Sequence, residues 1–393
     1  MSYYFSYLNS AEKILLLYNG NEPFNFFIKN YFKQHKKYGS KDRKQITHLC
    51  YCYFRLGSRL AENIKYPQKS LQERILKGLF LSSTLPNEIL GELRPAWNEK
   101  VNLSVCEKLI IANLELSAVF PWKNDLSESI QFEKFAESFF IQPDLFLRLR
   151  PGHEAVVKQK LRQAGIKFNV ITPDCFSVIN ASKIDIVIDL DKEAVIQDYN
   201  SQKTGTFLKE LSGSDIQLSV WDCCAASGGK SLMAYDFIQN IELTVSDVRR
   251  SILVNLEKRF EKAGISHYHS FVADLADPQF KIPDFSSDII ICDAPCSGSG
   301  TWSRTPEQLH FFNEKKILQY AVLQKKIISN AITRLKPGGY FLYITCSVFK
   351  KENEDAANFI QQQFHLELIK MELLKGYDKK ADSMFVALFR KNA

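Results

Sequence analysis

The sequence predicts a multidomain protein in which a helical N-terminal region precedes a small α/β module and a larger α/β domain. Two observations carry this prediction. Apolar residues recur at helical spacing through the first third of the chain, whereas strand-like and helix-like segments alternate through the second half. Such alternation is typical of a doubly wound parallel sheet, so the C-terminal domain is expected to be Rossmann-like. At 393 residues the chain has ample length for two or three domains.

Three regions follow one another along the chain. Residues 1–125 are expected to form the helical domain, because apolar residues lie on one helical face of SKDRKQITHLCYCYFRLG. Residues 131–205 combine short strand-like segments with an amphipathic helix and are expected to form the small α/β module. Residues 206–393 are expected to form the larger α/β domain, with the apolar tail MFVALFR as an edge strand.

The composition is that of a folded protein outside the membrane. The chain is 45% hydrophobic and 24% charged, and both values are ordinary for globular proteins. No apolar run approaches the roughly 20 residues that cross a bilayer, and the first residues lack the pattern of a secretory signal. The nine cysteines include no Cys-x-x-Cys pair of the kind that binds zinc. We therefore expect a cytoplasmic monomer with free thiols, no metal and no membrane contact.

Positive charge is concentrated near the N-terminus. Residues 1–130 carry 18 Lys and Arg against 12 Asp and Glu, while the whole chain has a net charge of +7. Seven of these bases lie in a basic stretch, residues 29–44, interleaved with Tyr31, Phe32 and Tyr38. Basic residues beside aromatic ones suit the phosphates and bases of a nucleic acid, so RNA is a candidate partner. A solvated helix face would show the same pattern.

Carboxyl and thiol groups end the strand-like segments of the C-terminal region. One aspartate at a strand end is usually the cap of the next helix, but a series of them at one sheet edge indicates a binding site. The residues at these ends are Asp222, Asp247, Asp274, Asp293 and Cys346.

A loop of small residues follows the first of these strands. In DCCAASGGKS, Gly-Lys-Ser resembles the end of a nucleotide-triphosphate loop, but Cys224 stands where that loop needs glycine, five positions before Gly229. The dinucleotide pattern Gly-x-Gly-x-x-Gly is also absent. Small residues allow close approach of the backbone to a ligand, Asp247 is placed to bind ribose hydroxyls, and Asp274 to reach an adenine amine. S-adenosylmethionine, a nucleoside without a polyphosphate, fits this pattern.

Three motifs resemble, in order and spacing, those of the Sun/Fmu (RsmB-like) family of RNA (cytosine-5) methyltransferases. These motifs are DCCAASGGKS, CDAPCSGSGTWSRTPE and LYITCSVFKKENE. VIQDYNSQ is similar to the segment that opens the catalytic domain of this family, and YGSKDRKQITHLCYCYFRLG to part of its NusB-like RNA-binding domain. The resemblance implies a NusB-like helical domain, a small RNA-binding α/β module and a Rossmann-like methyltransferase domain that uses S-adenosylmethionine.

The two cysteine motifs suit one chemistry. Carbon 5 of cytosine becomes nucleophilic enough to accept a methyl group once a thiolate has added to carbon 6, which is covalent catalysis. On chemical grounds either Cys296 or Cys346 could attack. The resemblance assigns attack to Cys346 and product release to Cys296, and it places Asp293 and Lys230 beside the target base.

The resemblance also implies a set of cofactor-binding residues. These are Cys224, Ala225, Ala226, Ser227, Gly228, Gly229, Lys230, Asp247, Asp274 and Asp293. Ser227 stands where the family usually has proline, which we expect to loosen the loop. Cys223 and Cys292 match no role in the family and are expected to lie in the core.

The expected function is methylation of cytosine carbon 5 in ribosomal RNA, of the 16S type, through a covalent cysteine–carbon 6 intermediate. The target base must leave its stack to meet both thiol and cofactor, which favours an unpaired or flipped-out site. The same chemistry on transfer RNA is one alternative. A non-catalytic RNA-binding assembly factor that retains the cofactor pocket is the other.

Overall fold

The computed structural model describes residues 3–57, 70–211 and 216–392. The chain forms two compact units, called here the helical unit and the sheet unit. The helical unit comprises Met1–Leu126, Gln131–Gln142 and Thr301–Glu314, and the sheet unit comprises Ser127–Ile130, Pro143–Gly300 and Lys315–Ala393. The small α/β module falls within the sheet unit. The division into three domains at the predicted boundaries remains a prediction.

The helical unit confirms the predicted helical N-terminal region. Its described α-helices are Tyr3–Leu17, Phe24–Gln34, Ser40–Phe54, Leu71–Ser82, Glu88–Leu93, Pro95–Asn98, Val105–Ala112, Leu116–Val119, Phe132–Glu137 and Pro306–Phe311. Among the helices of the described ranges, none combines the length and apolar composition that crossing a membrane requires.

Aromatic side chains from distant parts of the sequence form the core of the helical unit. The Tyr18 ring lies 5.0 Å from that of Phe24 and 5.4 Å from that of Phe311. A second group joins Trp122 to Phe312 at 4.9 Å and to Trp302 at 5.9 Å. Residues 301–314 therefore supply three large side chains to a core whose other aromatic members precede them by more than 160 positions.

Residues 131–142 also pack within the helical unit. The Phe135 ring lies 5.3 Å from that of Phe120. The buried guanidinium of Arg55 donates hydrogen bonds to the Phe139 carbonyl and to Oε1 of Gln142, the latter at 2.7 Å. The small module, as the structure has it, begins after these residues.

The basic stretch presents its lysines to solvent but not all of its aromatic side chains. Lys33, Lys36 and Lys37 are exposed, whereas Tyr31 and Phe32 are buried. The expectation that the aromatic residues of this stretch serve the bases of a nucleic acid is therefore wrong for those two. Their helix turns them into the core, because its apolar positions recur at helical spacing.

The small module of the sheet unit is a four-stranded antiparallel sheet in the order β2-β3-β1-β4. Its strands are β1 Leu145–Leu149, β2 Phe168–Thr172, β3 Cys175–Val178 and β4 Ala194–Ile196, and its helix is Glu154–Gln163. Val157 and Leu161 of that helix are buried against Leu147 and Phe176 of the sheet. The predicted strand–helix–strand pattern of this region is confirmed.

A seven-stranded sheet in the order β10-β11-β9-β8-β5-β6-β7 forms the larger part of the sheet unit. Its strands are β5 Leu218–Asp222, β6 Ile241–Asp247, β7 His269–Val272, β8 Ser287–Asp293, β9 Leu335–Thr345, β10 Glu367–Leu374 and β11 Met384–Arg390. The α-helices of this part are Tyr199–Lys203, Thr206–Lys209, Gly229–Phe237, Arg250–Ala263, Lys315–Ile332 and Glu354–Phe364. Strands β5 to β9 pair in parallel, as the Rossmann-like prediction requires.

The predicted edge position of the tail MFVALFR is wrong. This segment is β11, which lies between β9 and β10 and pairs with both in antiparallel register. Six of its seven residues are buried. Such an unbroken apolar run is typical of an interior strand covered on both faces, and the half-exposed β10 occupies the edge instead.

The strand order determines which side chains meet. Strand β5 has β6 on one side and β8 on the other, and β9 follows β8. The carboxyl ends of these parallel strands lie along one edge, and the connections leave the sheet in opposite directions at β5 and β8. Ligands of doubly wound sheets bind at such a switch point.

Candidate active site

An open cavity of about 460 Å³ lies at the carboxyl edge of the large sheet, beside β5, β6 and β8. This volume is typical of small-molecule sites in proteins. Seven of the predicted site residues line it, namely Cys224, Ala226, Asp247, Asp274, Asp293, Cys296 and Cys346. The residues assigned to the cofactor and the two cysteines therefore share one cavity.

The other predicted residues are not among those that line the cavity. These are Ala225, Ser227, Gly228, Gly229 and Lys230. Gly228 has a φ of +83°, and a Cβ atom there would lie 2.9 Å from the Phe260 ring. Only glycine fits both constraints, so this position shapes the loop and starts the helix Gly229–Phe237.

Ser227 is firmly held despite the absence of proline. The guanidinium of Arg259 donates hydrogen bonds to the carbonyl of Ser227 at 2.7 Å and to its hydroxyl at 3.2 Å. Arg259 is itself bonded to Asp191 at 2.7 Å. These contacts counter the expected loosening of the loop, and they depend on two residues that the sequence motifs do not include.

The carboxylate of Asp247 is buried at the end of β6 and holds the glycine loop in place. It accepts the backbone N–H of Ala226 at 3.0 Å on one oxygen and that of Arg249 at 2.9 Å on the other. A carboxylate can accept about four hydrogen bonds, so capacity remains for ribose hydroxyls. Asp274, just beyond the neighbouring strand β7, is exposed and also lines the cavity.

Asp222 does not line the cavity, although it ends β5. Its Oδ2 accepts the Ser231 hydroxyl at 2.6 Å, and complete burial raises the pKa of this carboxyl to about 7. Its contact is with the first turn of the following helix, which is the ordinary role of an acid at a strand end.

Lys230 and Asp293 form an ion pair at the cysteine side of the cavity. The ammonium of Lys230 lies 3.0 Å from Oδ2 of Asp293 and donates a hydrogen bond to the Ser201 hydroxyl at 2.8 Å. Lys230 is buried, whereas about a third of the Asp293 side chain is exposed. The carboxyl of Asp293 is thus the member of the pair that faces the cavity.

Cys296 and Cys346 lie in contact. Their sulfur atoms are 3.4 Å apart, although 50 residues separate them in the chain. Cys296 follows β8 and Cys346 follows β9, and these two strands are parallel neighbours. Both side chains are half-buried and both line the cavity.

Close backbone packing fixes the two cysteine loops to each other. The N–H of Gly300 donates to the Cys346 carbonyl at 2.9 Å, and the N–H of Ser383 donates to the Gly300 carbonyl at 3.0 Å. A Cβ atom at position 300 would lie 2.0 Å from the carbonyl oxygen of Ser383. This glycine therefore permits the approach that brings the sulfur atoms together.

A buried hydroxyl cluster underlies the same contact. The hydroxyl oxygens of Ser297, Ser299 and Ser347 lie within 3.2 Å of one another. The backbone N–H of Val348 adds a hydrogen bond to Ser299 at 2.9 Å. Each serine lies next to a cysteine or on the loop that carries it, so the cluster joins the two loops through side chains.

Glu352 is a functional candidate that the sequence analysis missed. Its fully buried carboxylate accepts the N–H of Ser297 at 2.8 Å through Oε2, while Oε1 has no hydrogen-bond partner among the residues that the structure describes. Burial raises its pKa to about 7. The only sequence signal is its place six residues after Cys346, within LYITCSVFKKENE.

The surroundings of Cys296 disfavour ionisation of its thiol. The hydrogen bond to Cys346, burial, and the charges of Cys346 and Glu352 raise the pKa of Cys296 well above its usual value. Two anionic sulfurs 3.4 Å apart would repel each other strongly. Cys296 is therefore the thiol that stays protonated.

Three solved structures share the fold over most of the length of this chain. The crystal structure of PH0851 has a TM-score of 0.72 and 18% identity over 98% of both chains. NSun6 from Pyrococcus horikoshii with SFG has a TM-score of 0.59 and 15% identity over 71% of this chain and 97% of that one. A methyltransferase homologue from Pyrococcus horikoshii has a TM-score of 0.56 and 19% identity, covering 72% and 94%. These likenesses establish the fold.

Curated relatives match parts of the sequence. Ribosomal RNA small subunit methyltransferase B of Yersinia enterocolitica is 25% identical over 266 residues, which cover 66% of this chain and 58% of the relative. The corresponding protein of Salmonella arizonae is 32% identical over 43% of this chain and 38% of the relative. Methyltransferase F of Pectobacterium carotovorum is 30% identical over 37% and 30%. The matches thus span from about a third to somewhat over half the length of these relatives.

The family comparison covers the large sheet and the cavity. Residues 211–390 match the family described as 16S rRNA methyltransferase RsmB/F. This range contains the glycine loop and both cysteine motifs, the same segments on which the resemblance to the Sun/Fmu family depends. Over residues 211–390, the chain is therefore similar to the RsmB/F family of methyltransferases.

Proposed function

We propose that this protein transfers a methyl group from S-adenosylmethionine to carbon 5 of cytosine in ribosomal RNA of the small subunit. The observation that carries the proposal is the 3.4 Å contact of Cys296 and Cys346 inside the cavity that Asp247 and Asp274 also line. A thiol pair beside a nucleoside site is what covalent activation of a pyrimidine requires.

The residues present fit S-adenosylmethionine. The lining combines carboxylates with apolar side chains, among them Leu275 and Ile327, and the space around Gly229 would stay free even with a Cβ atom. Asp247 would hold the ribose hydroxyls and Asp274 the adenine amine. When bound, this cofactor supplies an electrophilic methyl group on its sulfonium sulfur. No phosphate-binding loop is needed, in agreement with Cys224 in place of the glycine of such loops.

Cys346 is the proposed nucleophile. Its thiolate adds to carbon 6 of cytosine, which forms a carbon–sulfur bond and makes carbon 5 electron-rich. The raised pKa of Cys296 supports this assignment, because a thiol that stays protonated is a poor nucleophile. The addition places negative charge on ring nitrogen 3. We infer that the Lys230 ammonium passes a proton through the carboxylate of Asp293 to this nitrogen, which offsets the charge.

Release needs a second proton transfer. After methyl transfer, carbon 5 carries both a methyl group and a hydrogen. Loss of that proton to water in the open cavity restores the double bond between carbons 5 and 6 and expels the sulfur of Cys346, while nitrogen 3 returns its proton through Asp293 to Lys230. Cys296, protonated and 3.4 Å away, hands its proton to the departing sulfur. Glu352 is a positioning residue in this proposal, because its carboxylate binds the backbone N–H of Ser297, next to Cys296.

The substrate assignment rests on the relatives and on charge. The named relatives are ribosomal RNA methyltransferases, and the exposed lysines of the basic stretch suit a sequence-tolerant grip on phosphates. We assign the helical unit a NusB-like RNA-binding role. The nine free cysteines fit a reducing compartment such as the cytoplasm.

Tritium transfer tests the proposal directly. Purified protein is incubated with tritiated S-adenosylmethionine and total RNA from cells that lack it, and the labelled RNA is separated by size and mapped by bisulfite sequencing. We expect label at a cytosine of small-subunit ribosomal RNA. Label in transfer RNA would replace the substrate and keep the chemistry, whereas the absence of label from all RNA, including assembly intermediates, would contradict the enzymatic proposal.

A further inference from the structure

A second group of thiols lies at the wall of the same cavity. The sulfur atoms of Cys223, Cys224 and Cys292 all lie within 4.8 Å of one another. Cys223 and Cys224 follow β5, and Cys292 lies in β8, the parallel neighbour of β5. The predicted core location of Cys223 and Cys292 is confirmed. The proposed methyl transfer does not use the thiols of Cys223 and Cys292.

We propose that these three cysteines form a binding site for trivalent arsenic, presented as neutral arsenous acid. Three thiols each replace one hydroxyl group: As(OH)₃ + 3 R–SH gives As(SR)₃ + 3 H₂O. Three arsenic–sulfur bonds form, three arsenic–oxygen bonds break, and no electron is transferred. The thiol protons leave with the hydroxyl groups as water, so the net charge of the site is unchanged.

Charge favours this ligand over a divalent metal ion. A divalent cation bound by three thiolates leaves a net negative charge, which is costly in a buried site unless it is compensated. Asp222 directly precedes Cys223 and Asp293 directly follows Cys292, so two carboxyl groups flank the cluster. The arsenic complex is neutral, and the apolar neighbours of the cluster, including Ala273, Ala294 and Ile290, suit a neutral group.

Access and number of thiols favour this site over the catalytic pair. Cys223 and Cys224 line the open cavity, so a small neutral acid can approach these two residues from the cavity, and the buried thiol of Cys292 lies within 4.8 Å of theirs to supply the third bond. Cys296 and Cys346 offer two thiols, whereas the cluster offers three, and the third bond retains arsenic against hydrolysis. Two of the three ligands are adjacent in the chain, so little conformational freedom is lost when they bind together.

The test uses the full chain with Cys296 and Cys346 changed to serine, which removes the competing pair. Reduced protein is titrated with sodium arsenite, and intact-mass spectrometry counts bound arsenic while alkylation under denaturing conditions counts free thiols. We expect one arsenic atom per chain and three fewer alkylated thiols, mapped to Cys223, Cys224 and Cys292. Cys292→Ala in this background should weaken binding at least 10-fold.

A matched control and a second variant keep the test decisive. Cys175→Ala removes one buried thiol outside the cluster and should bind arsenic as the parent does. Cys223→Ser repeats the loss at a second ligand, and circular dichroism with thermal melting verifies that each variant is folded. Equal binding by Cys175→Ala, Cys292→Ala and Cys223→Ser overturns the proposal. Tighter binding of Zn²⁺ than of arsenite would overturn the charge argument on which it depends.

A competition experiment separates this site from the proposed function. Of the experiments on the arsenic site, it alone rests on the proposed function. Because Cys223 and Cys224 line the cavity, a non-reactive analogue of S-adenosylmethionine should slow arsenite binding. If arsenic binds through the three cysteines and the analogue has no effect, the cofactor assignment fails while the arsenic site stands.

Discussion

At the scale of single residues, the contact of Cys296 with Cys346 places two identical groups in unequal environments. Cys296 lies within range of the charge of Glu352 and accepts or donates a hydrogen bond across the 3.4 Å contact. The raised pKa of its thiol follows from these neighbours and from burial. In the proposed mechanism, these different environments make one thiol the nucleophile and the other the proton donor.

Substitution of each cysteine should give a different product. Cys346→Ala removes the nucleophile and should reduce methyl transfer by several orders of magnitude. Cys296→Ala keeps the nucleophile and should accumulate a covalent RNA–protein complex that survives denaturing electrophoresis. Cys50→Ala, a buried thiol of the helical unit, serves as the control and should retain activity. Normal turnover by Cys346→Ala would falsify the role assignment.

Glu352 should make stability depend on pH. Its pKa of about 7 in the folded protein exceeds the ordinary 4.5, so the stability that it contributes is complete below pH 4.5 and is lost as pH rises through 7. The full difference corresponds to roughly 3 kcal/mol. Glu352→Gln cannot ionise, so from pH 5 to pH 8 the unfolding free energy of wild type should fall relative to that of the variant. Urea unfolding at both pH values measures this, and parallel curves would contradict it.

The sequence motifs predicted residues that line the cavity, but not the residues whose contacts hold the loops of the site in place. Cys296, Cys346 and Asp293 belong to recognisable strings of residues, and seven of the predicted residues line the cavity. Arg259, in contrast, contacts Ser227 from 32 positions away. Such a contact depends on how two helices pack on one sheet, which local periodicity does not encode.

At the scale of elements, an ion cluster ties the small sheet to a helix of the large sheet within the sheet unit. Arg148 on β1 pairs with Asp236, and Arg150 lies 2.8 Å from the same carboxylate. The side chains of Arg148 and Asp236 are only 1% and 2% exposed, so the charges depend on each other. Asp236 lies on the helix Gly229–Phe237, which also carries Lys230 of the candidate site.

Asp236→Asn should therefore be strongly destabilising. Removing the carboxylate leaves buried guanidinium charge uncompensated, which costs about 3–5 kcal/mol. Glu128→Gln provides the matched control, because the pair of Glu128 with Lys350 is largely exposed and should contribute less than about 1 kcal/mol. Urea unfolding compares the two. Equally small losses of unfolding free energy in the two variants would contradict the inference that the charges of Arg148 and Asp236 depend on each other.

The basic stretch should act through phosphates alone. Alanine at Lys33, Lys36 and Lys37 should weaken RNA binding and reduce the slope of log affinity against log salt by up to about 2, since each phosphate contact on a single strand contributes about 0.7. The control carries the same loss of charge at exposed lysines of the sheet unit, namely Lys258, Lys262 and Lys281. Filter binding at several salt concentrations gives both slopes. Identical slopes for the two triple variants would contradict this role.

Element type was easier to predict than element position. The ends of β5, β6 and β8 at Asp222, Asp247 and Asp293 were predicted from the sequence, because each strand is an apolar run ending in a polar residue. The place of β11 inside the sheet was not, since strand order follows from long-range pairing. Its unbroken apolar sequence was the available signal, because it requires cover on both faces.

At the scale of the whole molecule, the compact units do not coincide with continuous pieces of sequence. Residues 301–314 come after β8 of the sheet unit, yet they pack in the helical unit. The Nδ1–H of His310 donates a hydrogen bond to the Gly57 carbonyl at 2.9 Å, and Phe24 donates its N–H to Glu307. Composition shifts along the chain cannot reveal such an arrangement, so the predicted helical domain stopped at residue 125.

A fragment of residues 1–142 should consequently be unstable. It lacks Trp302, Phe311 and Phe312, so their aromatic partners would be exposed to water, at a cost of about 1.5–3 kcal/mol for each large side chain. We expect low cooperativity in thermal melting and strong binding of a hydrophobic dye. Addition of a peptide of residues 301–314 should restore a sharper transition, whereas a scrambled peptide should not. A fragment that melts as sharply alone as with the peptide would contradict this prediction.

The late origin of Trp302, Phe311 and Phe312 has a consequence for biosynthesis. A nascent chain emerges from the ribosome from its N-terminus onward. Some 160 further residues must therefore be translated after residue 142 before the last core side chains of the helical unit are available. During that interval the early helices hold an unfilled aromatic groove, open to chaperones and to neighbouring nascent chains. Slow codons before position 301 should therefore lower the yield of folded protein more than slow codons placed after position 314.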